Sequence, residues 1–218
     1  SLTHFGASEF DLYEYRSPSG YDRELGLYPQ DLLDFVRETQ PQEWARLERI
    51  HGLKAGEKFC KRVARELEQR GVVEVLRRGV EDLGRRFELV FFAPGSDLNE
   101  QLAEKYWANR MTVVRQLRYS TRNENSVDTV LFVNGIPVVT LELKNPLTGQ
   151  TYRDAIDQYK RSRSASEDLF RLNRRAVVHF AVDTDEAWMT TKLAGMDTVF
   201  LPFNRGYKNG AGNPPVAG

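Results

Sequence analysis

The amino-acid sequence predicts an α/β or α+β fold, in which helices flank a central mixed β-sheet. Residues 29–83 carry apolar side chains at helical spacing, whereas residues 112–143 show the apolar runs and alternation that strands have. The pair Asn134-Gly135 stands between two such apolar strands and is the strongest short-range signal for a β-hairpin. Together these observations predict an N-terminal helical region packed on an α/β core.

The first predicted unit is a helical region over residues 1–84. A helix is predicted within 29–50, because its apolar residues recur at helical spacing and Asp31 can cap its start. Two further helices are predicted over 56–70 and 72–83. We expect this helical region to pack against the core that follows it.

The second predicted unit is the core, over residues 85–205, and the glycine-rich residues 206–218 are predicted to be a linker towards a further domain. Strands are predicted where apolar runs are bounded by turn residues, and helices where the spacing is helical. In chain order the core elements are a strand at 88–94, a helix from Asp97 to about Asn109 with Leu98, Leu102 and Trp107 as core positions, a strand at 112–119, hairpin strands at 127–133 and 136–144, a helix at 150–164, and strands at 175–182 and 186–191.

The composition narrows the range of possible functions. The chain has 31 basic and 31 acidic side chains, so it lacks the global basic excess of small DNA-coating proteins. The single cysteine excludes an internal disulfide and a cysteine-rich zinc site. The three histidines argue against a histidine-rich metal site. No apolar run reaches the ~18 residues that a membrane-spanning helix needs, and no signal-peptide pattern is present. We therefore expect a cytoplasmic protein that does not bind membranes.

The register of the hairpin decides whether two acidic residues can act together. A two-residue type I′ loop would pair Val133 with Ile136. Asp128 and Glu142 would then lie on opposite faces of the sheet, because side chains on a strand alternate. A three-residue loop with Gly135 as a bulge would place both acids on one face. The sequence permits either loop, and a shared site requires the second or an equivalent bulge.

Asp128, Glu142 and Lys144 are unusual because they stand at the ends of strands that are otherwise apolar. A partly buried carboxylate is costly unless it is paired or binds a metal. One interpretation is a structural ion pair between Glu142 and Lys144, or exposure where the strands fray. The other is a Mg²⁺ site for phosphodiester cleavage, with two carboxylates and the Leu143 carbonyl as oxygen ligands and the lysine beside the attacking water.

The run VDTVLFVNGIPVVTLELKNP resembles the nuclease core of the PD-(D/E)xK superfamily. More narrowly, it resembles the N-terminal endonuclease domain of the restriction (R) subunit of type I restriction–modification enzymes. The segments YDRELGLYPQDLLDFVRETQP, NRMTVVRQLRYS and MTTKLAGMDTVFLPFNRG are also similar to that subunit. The resemblance therefore covers most of the chain and implies a restriction-endonuclease-like core with a central mixed β-sheet.

The resemblance implies roles for individual residues. Asp128, Glu142 and Lys144 match the catalytic residues of the superfamily, although a valine precedes the aspartate where the motif name has proline. The family also has a glutamine on the following helix, which Gln158 matches. The aromatic residue that the family has four positions later is absent here, and the nearby aromatic residue is Tyr159.

The function implied is Mg²⁺-dependent endonucleolytic cleavage of double-stranded DNA, that is, a type I site-specific deoxyribonuclease. ATP would belong only to the full-length subunit, whose C-terminal part would be an ATP-driven DNA translocase; the sequence has no G-x-x-x-x-G-K-[ST] motif. The implied partners are DNA and the methyltransferase and specificity subunits. The alternatives are a stand-alone repair or recombination nuclease and a catalytically degenerate domain that docks DNA or subunits.

Basic residues cluster before the hairpin and after Gln158. They are candidates for sequence-independent contacts with DNA phosphates. The alternative for each of them is a solvated charged face. The basic residues concerned are Arg110, Arg115, Arg118, Arg122, Lys160, Arg161, Arg163, Arg171, Arg174 and Arg175.

Overall fold

A computed structural model describes residues 13–93, 95 and 100–203 of the chain. Short 3-10 helices lie at Pro18–Gly20, Gly52–Lys54 and Pro146–Thr148. The other elements are, in chain order, β1 (Glu14–Arg16), α1 (Pro29–Thr39), α2 (Pro41–His51), α3 (Ala55–Arg70), α4 (Val72–Arg78), β2 (Val80–Asp82), β3 (Arg85–Phe87), α5 (Glu100–Trp107), β4 (Met111–Arg118), β5 (Ser126–Val133), β6 (Ile136–Leu143), α6 (Tyr152–Ser162), β7 (Val178–Val182), β8 (Ala187–Thr190) and β9 (Leu201–Pro202).

The main sheet has seven strands in the order β1-β4-β5-β6-β7-β8-β9, and β2 and β3 form a separate hairpin. The pairs β1–β4 and β6–β7 are parallel, and the other neighbours in the main sheet are antiparallel. The parallel pair β6–β7 is connected through α6, as a parallel pair requires a crossover. The predicted mixed α/β architecture with a central sheet and flanking helices is therefore confirmed.

Two clusters of buried apolar residues hold these layers together. The β5–β6 hairpin contributes to both, because Phe132 belongs to one cluster and Ile136 to the other. The helical cluster, among α1–α4 and the β2–β3 hairpin, includes Leu32, Phe35, Trp44, Phe59, Leu67, Val75 and Phe87. The sheet cluster, between the sheet and α6, includes Val114, Val130, Phe132, Ala155, Tyr159, Phe170 and Ala181.

The helix predicted within 29–50 is two helices. Pro41 has no backbone N–H to continue α1 and instead stands in the first turn of α2. Asp31 does not cap α1 as predicted but lies in its first turn, 2% exposed. Its carboxylate accepts hydrogen bonds from Arg16 Nε and Thr112 Oγ1, each at 3.0 Å. The residue therefore ties α1 to β1 and β4.

The segment predicted as a strand at 88–94 is not one over its described residues, 88–93. Its backbone groups bond to side-chain amides instead of to a neighbouring strand. Gln40 accepts from the Glu88 N–H at 2.7 Å and donates to the Glu88 carbonyl at 2.9 Å. Asn109 pairs with Phe91 in the same two-way manner. The segment is apolar, as a strand would be, but the side-chain amides of Gln40 and Asn109 bond to its backbone and determine its conformation.

Two further helix predictions need correction. The helix predicted over 72–83 ends at Arg78, because Gly79 has a φ of +63° and β2 begins directly after it. The predicted start of α5 at Asp97 and its core position Leu98 lie outside the described residues. The side chains of Leu102 and Trp107 are 47% and 65% exposed, so the prediction that they are core residues is wrong.

The remaining predicted elements agree with the structure to within a few residues, including the hairpin strands, α6, β7 and β8. The division of the chain at residue 84 stays a prediction. The predicted linker over 206–218 lies outside the described residues. Along the described stretches, none of the helices has the length and apolar character needed to cross a membrane.

The hairpin combines a tight turn with a bulge. Val133 pairs with Ile136 across a two-residue turn in which Asn134 and Gly135 have φ values of +50° and +78°. The register then shifts by one residue at Val138, so that the later pairs include Thr129 with Leu141. This is the equivalent bulge that a shared site requires, and it sets Asp128 across from Glu142 rather than across from Leu141.

The turn itself is buried against the helical region. The Gly135 carbonyl accepts a hydrogen bond from the Tyr28 N–H at 2.8 Å, at the start of α1. Asn134 is fully buried, and its side chain bonds to the Leu89 carbonyl at 2.9 Å and the Arg110 N–H at 2.6 Å. The predicted loop is therefore a packed junction between the sheet, α1 and the segment that follows β3.

We expect Gly135→Ala to destabilise the fold strongly. A Cβ at this position would lie 2.3 Å from the Tyr28 carbonyl oxygen and 2.8 Å from the Leu32 nitrogen. The left-handed backbone costs about 1–2 kcal/mol without glycine, and the clash adds ~1–3 kcal/mol. The matched control is Gly84→Ala, in the β2–β3 turn, which has a φ of +71° and open space around its Cβ. Urea unfolding of both variants measures the difference, and equal losses would contradict the packed junction.

Candidate active site

The hairpin brings the predicted acids together at one end of the sheet. Asp128, near the start of β5, is half-buried, whereas Glu142, near the end of β6, is 0% exposed. The last ladder pair is Thr129 with Leu141, so the two strands separate where the acids stand. The opened strand ends leave room for side-chain contacts in place of the ladder.

Asp128 is held by one backbone and one side-chain donor. Its Oδ2 accepts from the Leu143 N–H at 2.8 Å, and its Oδ1 accepts from Gln116 Nε2 at 3.0 Å. Gln116 has a φ of +50°, which is rare for a residue that is not glycine, and its Oε1 accepts from Ser126 Oγ at 3.3 Å. Sparsely populated backbone conformations cluster at functional sites. Sequence reasoning did not find Gln116, because no local pattern marks it.

Glu142 has one partnered oxygen and one unpartnered oxygen. Its Oε1 accepts from Arg163 Nε at 2.6 Å. Among the described residues its buried Oε2 has no hydrogen-bond partner. An unsatisfied buried carboxylate oxygen is costly, so this atom is the strongest indication that the site is built for a further group.

Burial raises the pKa of Glu142 from its ordinary value to about 7. Arg163 opposes this shift, because a cation favours the ionised carboxylate, whereas the negative charge of Asp128 and a side-chain hydrogen bond with it add to the shift. The two carboxyl groups can share this hydrogen bond only when one of them is protonated, so the ionised Glu142 leaves Oε2 without a donor from the described residues. Near neutral pH the metal-free carboxyl is therefore partly protonated. A bound cation would favour its ionised form in the way that Arg163 does.

Lys144 and Gln158 form a second pair beside the acids. Lys144 Nζ donates to Gln158 Oε1 at 2.7 Å, and its backbone N–H donates to the Val182 carbonyl at 2.8 Å. Gln158 lies on α6, which begins at a capping box made by Thr151 and Asp154. The structure therefore brings Gln158 to the hairpin. The alternative interpretation, an ion pair between Glu142 and Lys144, does not match the structure, since the carboxylate pairs with Arg163 and the ammonium with Gln158.

Tyr159 points into the sheet cluster. It is 0% exposed, and its hydroxyl bonds to Thr140 Oγ1 at 2.8 Å. Thr140 Oγ1 also bonds to His179 Nδ1 at 2.8 Å. Burial lowers the pKa of His179 to about 4, so this histidine is neutral at physiological pH. These three residues form a buried chain of hydrogen bonds centred on Thr140, which lies two residues before Glu142 on β6.

A groove of about 520 Å³ opens beside Asp128 at the edge of the site. Apolar residues of β4, β6 and β7 form half of its lining, and Arg115 and Gln116 add polar groups. The lining residues are Val113, Arg115, Gln116, Asp128, Thr129, Leu141, Leu143 and Val182. Asp128 is therefore the acid that lines the groove, whereas the fully buried Glu142 does not line it.

Two of the predicted phosphate-binding residues are buried. Arg163 is 6% exposed and contacts Glu142, and Arg175 is 1% exposed and bonds to Glu68 at 2.9 Å. Neither guanidinium is accessible to a DNA phosphate, so the prediction is wrong for these two. For the other basic residues it stays a prediction.

The side chains present fit a magnesium ion that keeps several waters. In the part of the chain that the structure describes, no cluster of three or more His, Cys, Asp or Glu is arranged to hold a metal. Mg²⁺ differs from zinc because it commonly uses one or two carboxylates and completes its octahedron with water. The unpartnered Glu142 Oε2 beside Asp128 supplies oxygen ligands of this kind.

Comparison with known proteins places the chain in a family. The model of the family described as "Type I restriction enzyme R protein N terminus" matches residues 30–198. This range is most of the chain and contains the hairpin and α6. The chain belongs to this family. The resemblance to the N-terminal part of the type I restriction R subunit is therefore confirmed.

The chain is also similar to a curated protein from Escherichia coli. It is the endonuclease subunit of the type I restriction enzyme EcoprrI, and it is 30% identical to the chain over 128 residues. The match covers 56% of this chain and 39% of the relative. The matched region thus spans less than half of the length of that relative.

The ionisation of Glu142 predicts how the stability of this R-protein domain depends on pH. Because the folded pKa lies above the unfolded value of 4.5, the folded protein binds the extra proton between pH 4.5 and about 7. The contribution of Glu142 to the free energy of unfolding is therefore at its maximum below pH 4.5 and declines as the pH rises towards about 7. The loss is at most about 3 kcal/mol.

We expect Glu142→Gln, which stays neutral, to gain stability relative to the wild type across this pH range. Urea unfolding with a chelator present measures the difference between the two proteins at each pH. Glu104→Gln, at an exposed position of α5, is the control and should show no such trend. A difference that is constant with pH would contradict the raised pKa.

Proposed function

We propose that this chain is the nuclease part of a type I restriction enzyme R subunit and that it cleaves double-stranded DNA with Mg²⁺. The observation that carries the proposal is the interaction of Asp128 with the buried Glu142, whose Oε2 receives no donor from the described residues, together with the hydrogen bond between Lys144 and Gln158. Membership of the R-protein family supports it, and so does the endonuclease name of the E. coli relative. We assign the hairpin and α6 to a restriction-endonuclease-like PD-(D/E)xK core.

In the proposed site, Asp128 and Glu142 would hold Mg²⁺ together with the backbone carbonyl of Leu143. When bound, the ion would offset phosphate charge and lower the pKa of the attacking water. Asp128, which lines the groove, would meet the DNA backbone first. Glu142 lies in a water-poor interior, where its charge acts more strongly than it would in solution.

Lys144 would orient the attacking water and offset charge on the phosphate. Its ammonium group is held by Gln158 at 2.7 Å, which fixes the direction of a flexible four-carbon side chain. Because an ammonium has three donors, Lys144 keeps two for the water and a phosphate oxygen. Gln158 thus supports the site through Lys144.

The proposal includes a larger assembly. The methyltransferase and specificity subunits would select the DNA, and ATP would be used by the C-terminal part of the full-length subunit. This domain then need not read bases, and its net charge of zero agrees with a domain that relies on other subunits to select the DNA. We place the assembly in the cytoplasm.

We expect Lys144→Met and Asp128→Asn to reduce DNA cleavage at least about 100-fold when made in the full-length subunit within the complex. ATP hydrolysis should continue, because the substitutions leave the motor intact. Asp157→Asn, on the exposed side of α6, is the control and should cut normally. Undiminished cleavage by either site variant would refute the assignment of these residues.

Binding of Mg²⁺ to the 218-residue chain separates a nuclease from a docking domain. We expect calorimetry without DNA to detect one ion, and Asp128→Ala to abolish its binding. Absence of Asp128-dependent binding would favour the docking alternative. Cleavage of DNA by the chain with Mg²⁺ alone, without ATP or other subunits, would favour a stand-alone nuclease.

A further inference from the structure

Arg163 occupies a position that the proposed mechanism does not yet explain. It follows the last residue of α6, where the backbone turns extended, with φ −107° and ψ 100°. Its side chain is buried between the hairpin strands and the ring of Tyr119, whose centroid lies 5.8 Å from the guanidinium carbon. Its Nε donates to Glu142 Oε1 at 2.6 Å, and its NH2 group donates to the Ser126 carbonyl at 2.7 Å.

We propose that Arg163 is a positioning residue for the metal ligand Glu142, and this inference rests on the proposed function. By holding Oε1, the guanidinium fixes the rotamer of the carboxylate and leaves Oε2 as the oxygen available to a cation shared with Asp128. The same guanidinium holds Ser126 on β5, two residues before Asp128. Arg163 therefore sets the separation of the two carboxylates where the strand ladder has ended.

A connected set of hydrogen bonds carries this effect to the second acid. Ser126 Oγ donates to Gln116 Oε1 at 3.3 Å, and Gln116 Nε2 donates to Asp128 Oδ1 at 3.0 Å. Arg163 thus contacts one acid directly and reaches the other through Ser126 and Gln116. Partners of metal ligands orient those ligands in this way in known metal sites.

A purely stabilising role does not account for this arrangement. Buried ion pairs contribute little net stability, because the desolvation of both charges offsets their attraction. A site selected for stability would also satisfy Glu142 Oε2, whose lack of a partner is costly. The two donors of Arg163 serve two strands, which the single ammonium of a lysine cannot do with the same geometry.

The test compares Arg163→Lys with Arg175→Lys. Arg175 is the matched control, because it is equally buried, pairs with Glu68 and bonds to the Leu25 carbonyl, yet lies outside the site. Calorimetry with Mg²⁺ alone, on the folded 218-residue chain without DNA, gives the affinity of each variant. We expect Arg163→Lys to bind Mg²⁺ at least about 10-fold more weakly than the wild type, although the charge is kept. Arg175→Lys should lose stability but keep its affinity.

Wild-type affinity in folded Arg163→Lys would overturn the inference while the proposed function stands. No Mg²⁺ binding by the wild type would overturn both. Should the lysine variant not fold, Arg163→Gln makes the same comparison, since one amide group cannot hold both Glu142 and Ser126, and unchanged affinity again overturns the inference. In the full-length subunit, we expect Arg163→Lys to need a higher Mg²⁺ concentration for half-maximal cutting and to recover much of its rate at saturation.

Discussion

The arrangement of the site depends on one inserted residue, Val138 in β6. The Asn-Gly turn alone would place Asp128 and Glu142 on opposite faces, because side chains alternate along a strand. The bulge shifts the register by one residue, so that both acids fall on the same face of the hairpin. The Val138 carbonyl still has a hydrogen-bond partner, because it accepts from the Val177 N–H at 2.9 Å, just before β7. The device that aligns the acids therefore also aligns the parallel strand beside them.

Much of this region could be predicted from the sequence, because its signals are local. The hairpin strands, the helix that carries Gln158 and the E-x-K spacing all follow from periodicity and turn residues within short windows. The choice between loop types could not be made, because both are compatible with Asn134-Gly135. In the structure the two-residue turn bonds to the Tyr28 backbone, which is more than a hundred positions away in the chain, and the bulge follows it at Val138.

Two of the predictions that failed did so for the same physical reason, namely the strand over residues 88–93 and the phosphate contact at Arg163. Residues 88–93 have the apolar composition of a strand, but the amides of Gln40, Asn109 and Asn134 take up their backbone groups. Arg163 stands in a run of basic residues and resembles a phosphate contact until the fold buries it on Glu142. In each case a distant partner decides the outcome, and a local pattern holds no information about that partner.

The burial of Glu142 lowers the stability of the fold. A buried acid whose pKa is raised to about 7 and which keeps one oxygen unpartnered weakens the metal-free fold. In the proposed function this cost serves cation binding: a second internal donor would occupy the oxygen that a cation needs, and an exposed acid would lose its fixed direction. Arg163 partly offsets the cost on one oxygen without blocking the other. A cation that binds only the folded chain would stabilise it further by mass action. In the proposed site, the cost of burying Glu142 and its capacity to bind a cation are thus two consequences of the same carboxylate.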